Sequence, residues 1–136
     1  MSTSGYSGTP LLRKLGIKPS MKVALVNPPE DYYQLLENDI SPQICRPGET
    51  PDFIHVFAGG QKEFERHMKG FRPFISRNTA IIIWVSWYKK SSGVATNITE
   101  NDIRNYALAH GLVDVKVCAV SELWSGLKLV VPLKLR

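Results

Sequence analysis

Three apolar runs, at residues 22–27, 52–58 and 79–87, each stop at a breaker or a polar cluster and are each followed by a segment with helical spacing. That alternation constrains the chain more than any other feature, because parallel strands can only be joined by crossovers of about a dozen residues or more, usually helical. The first run holds Val23, Ala24, Leu25 and Val26 and ends at Pro28-Pro29, the pattern of a strand buried on both faces. The second holds Phe53, Ile54, Val56 and Phe57 and ends at Gly59-Gly60. The third, with Ala80, Ile81, Ile82, Ile83, Trp84 and Val85 consecutive, is the most apolar and is expected at the centre of a sheet.

Between and around these runs the helix signals are local. Over residues 9–16 Thr9 is a cap, Pro10 suits the first turn where its missing N–H costs nothing, and Gly16 permits a left-handed stop. Asp31, Tyr32, Leu35 and Leu36 predict a helix to about Asn38, and Phe64, Met68 and Phe71 predict an amphipathic helix over residues 61–71. Thr99-Glu100-Asn101-Asp102 resembles a capping box, with Ile103, Tyr106, Ala107 and His110 following at helical spacing to Gly111. Residues 39–51 hold three prolines and a glycine and read as a loop with a short edge strand. The last two apolar runs, 112–120 and 124–131, are separated only by Ser121-Glu122-Leu123, too few residues for a crossover, so they form an antiparallel hairpin.

The expected fold is therefore α/β: a mostly parallel, Rossmann-like sheet of about five strands, with right-handed crossovers, helices on both faces and a C-terminal antiparallel hairpin. The chain has 136 residues, room for one core, and reads as a single α/β domain over 1–136, with an N-terminal arm and short helix at 1–20 and the sheet core at 21–136. No apolar run approaches the roughly 18 to 20 residues of a membrane span, and the first ten residues lack the layout of a secretory signal, so a soluble cytoplasmic protein without a membrane partner is expected. The net charge is +5, but apart from Lys89-Lys90 and the tail lysines Lys128 and Lys134 with Arg136 the bases are scattered. That distribution disfavours nucleic acid, whose minimum signature is a basic footprint on one face. Cys45 and Cys118 have no CxxC spacing and no neighbouring His; Cys118 is expected in the core and Cys45 in an accessible loop.

In an open sheet of this kind ligands sit beyond the carboxyl ends of the strands. This rule selects Asn27 to Glu30, Ala58 to Gly60, the loop from Ser86 to Gly93 and, across the hairpin turn, Ser121 to Ser125. The candidate ligand-binding residues are Asn27, Ser86, Trp87, Lys89, Lys90, Trp124 and Ser125. Lys89 and Lys90 supply charge, Ser86 and Ser125 hydroxyls, and Trp87 or Trp124 a flat apolar wall, with the capped helix start at Thr99 nearby for an anion. The reading that follows is a non-catalytic module binding a small anionic ligand, a protein partner or a second copy of the chain.

The rival is an enzyme. Asn27-Pro28-Pro29 leaving a strand is the mark of amino-group methyltransferases, in which the Asn orients the amine, although Glu30 stands in the aromatic's place. No Gly-rich GxGxxG turn is present to hold S-adenosylmethionine, so this alternative is a degenerate methyltransferase. His55, His67 and His110 show no metal-ligand spacing; His55 reads as a satisfied core or rim group, and the helix dipole explains His110. A GxSxG elbow and paired hydrolytic carboxylates are missing. No cofactor is identified.

With these segments in view the chain resembles a bacterial family of small uncharacterised proteins, catalogued as a domain of unknown function. The likeness rests on Gly5-Tyr6-Ser7-Gly8-Thr9-Pro10-Leu11 with Lys14-Leu15-Gly16-Ile17, on Trp84-Val85-Ser86-Trp87 with Lys89-Lys90 and Gly93-Val94-Ala95-Thr96, and on Val113-Asp114-Val115-Lys116-Val117-Cys118-Ala119-Val120 with Trp124-Ser125-Gly126-Leu127-Lys128. It implies a trimmed nucleotide- or methyl-donor-binding layout and no particular reaction.

Overall fold

The computed structural model describes residues 9–136, so the Gly5-Tyr6-Ser7-Gly8 stretch lies outside the described residues. In chain order the elements are α1 (Leu11–Leu15), β1 (Val23–Val26), α2 (Tyr32–Leu36), β2 (Phe53–Phe57), α3 (Gln61–Arg77), β3 (Ile82–Tyr88), α4 (Glu100–Ala109), β4 (Val113–Ala119) and β5 (Trp124–Val130), with three short 3-10 turns. The five strands form one sheet in the order β1-β2-β3-β5-β4. β1, β2 and β3 are parallel, and β5 is antiparallel to both of its neighbours, so the terminal hairpin inserts its second strand into the sheet. The fold is the α/β Rossmann-like arrangement the sequence predicts.

Strand alternation sorts the core into two halves. Ile54, Val56 and Ala58 join Ile83, Val85, Leu127 and Leu129 under Phe64, Met68 and Phe71 of α3 and Ile103 and Ala107 of α4. Phe53, Phe57, Trp84 and Trp124 face the other way, under Leu11 and Leu15 of α1 and Tyr32 and Leu36 of α2. Trp84, fully buried on that second face, donates its indole N–H to the Leu15 carbonyl at 2.8 Å and so ties the end of α1 to the central strand.

The path from β1 to β2 positions the rest. After α2 the chain returns along the free edge of β1, where Ile44 bridges Val23 in parallel and Cys45 N–H reaches the Val23 carbonyl at 2.9 Å. A single bridge, rather than a strand, thus stands where the 39–51 loop is expected to carry a short edge strand. The connection through α2 thus steps outward from β1 on one face, while the connection through α3 steps from β2 to β3 on the other. The two directions diverge at the β1–β2 boundary.

Four local expectations change. β1 is not buried on both faces: only Val23 is fully covered, because β1 is an outer strand with little beyond it. Pro10 rather than Thr9 occupies the cap position of α1; Gly16 does make the left-handed stop at φ 81°. α3 runs on to Arg77 through Pro73, since Phe74 and Ile75 continue the face packed on the core. Cys118 is half-buried rather than in the core, because β4 is the opposite edge strand. The capping box forms as read: Thr99 Oγ1 accepts from Asp102 N–H and Asp102 Oδ2 accepts from Thr99 N–H. Among the described residues no helix is long and apolar enough to cross a membrane.

Gly126 sits in β5 where a Cβ would stand 3.1 Å from both Trp84 Cε3 and Val120 Cγ2 and 3.4 Å from Ser86 Oγ. A methyl group there presses on a fully buried ring in a packed face. Gly126→Ala is therefore expected to lower unfolding free energy by about 1–3 kcal/mol in urea titration, the usual range for overpacking.

Candidate functional site

The register aligns the strand ends on one rim. Val26 pairs with Val56 and Val56 with Val85, while Tyr88 lies opposite Trp124 and Lys89 N–H donates to the Leu123 carbonyl at 2.8 Å. Pro28, Gly59, Lys89 and Trp124 consequently all lie along the same edge of the sheet, as the hairpin geometry requires.

On that rim a cleft of about 780 Å³ opens between the end of β3, the start of β5 and the first turn of α4. Trp87, Lys89, Lys90 and Ser125 line it together with Tyr88, Ser91, Thr96, Ile98, Thr99, Glu100 and Asn101. The loop that carries the two lysines is shaped by a 3-10 turn, Lys90–Ser92, closed by Gly93 at φ 78° and by Ser92 Oγ donating to the Lys89 carbonyl at 2.6 Å. At the α4 end the capping box consumes the Asp102 N–H, and the Glu100 carboxylate is held by Arg104, which also binds Asp114 at 3.0 Å. The cleft thus presents two ammonium groups, several hydroxyls and an aromatic wall.

Four of the seven residues selected from the sequence share this cleft, and three lie elsewhere. Asn27 follows β1 with φ 54°, two strand spacings or about 10 Å from β3, and its amide lies 3.4 Å from His67 Nε2. Trp124 belongs to the core half under α1 and α2, stacked on Tyr88 at 4.0 Å between ring centres and edge-on to Phe57. Ser86 is fully buried beneath the rim.

The point where the connections diverge is occupied by the protein's own groups. Gly59 N–H donates to Glu63 Oε1 at 2.6 Å and Gln61 N–H to Asn97 Oδ1 at 2.8 Å, while Thr96 Oγ1 donates to the Gly59 carbonyl. A carboxylate and an amide therefore take the backbone donors at the start of α3 that an anion would use in an open site.

Ser86 instead belongs to a buried chain of side chains that no sequence spacing announced. Tyr32 Oη lies 2.8 Å from His55 Nδ1, and His55 Nε2 lies 2.7 Å from Ser86 Oγ. All three are within the core, and the His55 ring stacks on Phe57 with centres 4.3 Å apart. The neutral ring carries one proton, so it donates to one hydroxyl and accepts from the other. Burial with no counter-charge holds the His55 ring down at about 3, and burial also pushes the Tyr32 phenol up. The arrangement has the partners of a Ser–His relay, but it is sealed from the cleft, and its chemistry is that of a satisfied polar core. The residues lie on α2, β2 and β3, and the one signal available in the sequence was a histidine inside an apolar strand. Among the described residues no group of three or more His, Cys, Asp or Glu side chains is placed to hold a metal ion.

Comparison with known proteins supports the fold and stops there. No protein-family model matches the sequence, and no curated protein matches it either. Among solved structures, the chain is similar to a Streptococcus agalactiae protein of the NADB-Rossmann superfamily, with a TM-score of 0.51 at 10% identity over 90% of this chain and 68% of that one. It is similar to an uncharacterized Listeria monocytogenes protein at 0.56 and 8% identity, over 90% and 67%. A Streptococcus pneumoniae protein, proposed to be a tRNA (m1A22) methyltransferase and solved with S-adenosyl-L-methionine, scores 0.46 at 10% identity over 80% and 54%, a level that carries no argument about chemistry. The chain has a Rossmann-like fold. At these identities a shared fold does not transfer a reaction.

The buried histidine makes stability depend on pH in a definite direction. Its folded value, about 3, lies below the ordinary 6.5, so the unfolded state binds the extra proton. The stabilisation is complete above about pH 6.5 and is lost as pH falls toward 3, with a limiting slope of about 1.4 kcal/mol per pH unit. Urea midpoints measured from pH 7 to 4 should fall less steeply in His55→Gln than in the wild type. Equal slopes would show that His55 is not buried neutral.

Proposed function

We propose that the protein is a non-catalytic module that binds a small anionic ligand in the rim cleft. The observation that carries this reading is that Lys89 and Lys90 line one cleft with Ser91 and Ser125 and with Trp87, whose side chain faces the α4 side of the sheet. Two ammonium groups supply attraction for a phosphate or carboxylate, the hydroxyls of Ser91 and Ser125 fix its orientation, those of Thr96 and Thr99 being spent on the Gly59 carbonyl and Asp102, and the aromatic wall accepts a flat or apolar remainder. The cleft is lined by one carboxylate, Glu100, which Arg104 holds while also binding Asp114, against the two cations of the lysine loop. On this reading the chain acts as one α/β unit over residues 1–136 in the cytoplasm, alone or as a homodimer. The finer resemblance, to the bacterial family of small proteins, is consistent with it, since that resemblance implies a trimmed ligand-binding sheet rather than a particular reaction.

The methyltransferase reading draws on one feature, the Asn27-Pro28-Pro29 exit from β1 at the rim, where Asn27 adopts a left-handed conformation. It places its amine site about 10 Å from the cleft and has no Gly-rich turn for the cofactor. Calorimetric titration with nucleotides, acyl phosphates and S-adenosylmethionine separates the two. Lys89→Gln with Lys90→Gln should weaken binding of an anionic ligand about tenfold or more, close to 1.4 kcal/mol, while Asn27→Ala leaves it unchanged. Saturable S-adenosylmethionine binding lost in Asn27→Ala would replace the module with the enzyme.

A further inference from the structure

The face of the sheet that carries α1 ends, on its β4 side, in lysines. Val115 bulges out of β4, so Asp114 pairs with Leu129 and turns toward α4, whereas Lys116 pairs with Lys128 and turns toward α1. Lys116 and Lys128 are thus directly opposite on one face, where Cβ atoms stand about 4.5–5.5 Å apart and like charges destabilise the pair. Lys116 uses one of its three donors on the Lys14 carbonyl, at 3.1 Å. Lys128 is half-buried, and among the described residues neither it nor Lys116 nor Lys18 enters an ion pair.

Two unlike groups on this face both sense Lys116. The Lys128 ammonium is held below its ordinary value by burial first, and then by Lys116 and Lys18. The Cys118 thiol is pushed up by burial and drawn back by Lys14, Lys116 and Lys89. Among the described residues the cations acting on the two groups are all lysines. Lys128 is a half-buried ammonium directly opposite Lys116 and forms no ion pair among the described residues, and a doubly charged oxyanion is a ligand that would offset the repulsion of the pair.

We infer that Lys116 and Lys128 form a second anion site, for the phosphate group of a small ligand, on the face of the sheet opposite the rim cleft. It shares no residue with that cleft and does not depend on the proposed function. Two donors of Lys116 and all three of Lys128 are available to phosphate oxygens. The ligand is inorganic phosphate or a phosphomonoester, which share this chemistry.

The test is side-chain NMR of the full chain labelled at lysine Cε, titrated with sodium phosphate and separately with methyl phosphate, ionic strength being held constant with chloride. Saturable shifts at Lys116 and Lys128 are expected, with the Lys128 titration midpoint moving upward when phosphate is bound. Tighter binding of methyl phosphate points to a phosphomonoester, and equal binding to free phosphate. Lys116→Gln with Lys128→Gln should weaken the effect about tenfold or more, and Lys89→Gln with Lys90→Gln should leave it intact. Should the double variant fail to fold by circular dichroism, Lys116→Gln alone, at an exposed position, is expected to weaken binding several-fold in its place. The site is overturned if the shifts do not saturate, if chloride reproduces them, or if they survive these substitutions. It is equally overturned if phosphate has no effect while a short RNA binds with steep salt dependence.

Discussion

The rim of this protein exists because β5 runs antiparallel between β3 and β4. An antiparallel strand begins where its parallel neighbour ends, so Trp124 and Ser125, which open β5, stand beside Tyr88 and Trp87, which close β3. The Lys89 N–H to Leu123 carbonyl bond fastens the lysine loop to the hairpin at that level. Had the last two strands been joined by a crossover, Ser125 would lie at the opposite end of the sheet, and the cleft would have one wall.

The same sheet keeps its polar interior chemistry apart from its surface chemistry. His55 and Ser86 point to the face under α2, where Tyr32 completes the hydrogen bonds, while Trp87, one residue further along β3, points to the face under α4 and the cleft. Leaving any one of the three buried groups without its partner would cost about 1–3 kcal/mol, a large share of the stability of a domain this size. The chain therefore fixes the mutual position of α2, β2 and β3 with a polar link that apolar packing alone would not specify. The start of α3 follows a similar principle: Glu63 and Asn97 satisfy backbone donors from within.

Much of the architecture was legible because it rests on local rules. The element order, the hairpin, the capping box at Thr99 and the Gly16 stop each follow from a few neighbouring residues and are present as read. Errors arose where tertiary position overrides pattern. Ala24, Leu25 and Val26 read as fully buried but are half-exposed at an edge, and α3 continues past the expected end because Phe74 finds core to pack on. The candidate site was legible in half. Trp87, Lys89 and Lys90 lie within four residues of one another and Ser125 is brought in by the hairpin, whereas Ser86, next to Trp87 in sequence, alternates to the buried face and Trp124 to the other half of the core. The Tyr32, His55 and Ser86 chain was out of reach, since residues 23 and 31 positions apart meet only through the sheet register.

Val115 has a consequence of a different kind. A single inserted residue in β4 sends Asp114 to one side of the sheet and Lys116 to the other, so the acid serves Arg104 on α4 and the base reaches the end of α1. Ordinary strand alternation would put both on one side, where they would cancel. The electrical character of this edge is thus written in chain length rather than in residue type, and a deletion of one codon would change it more than most replacements along the strand.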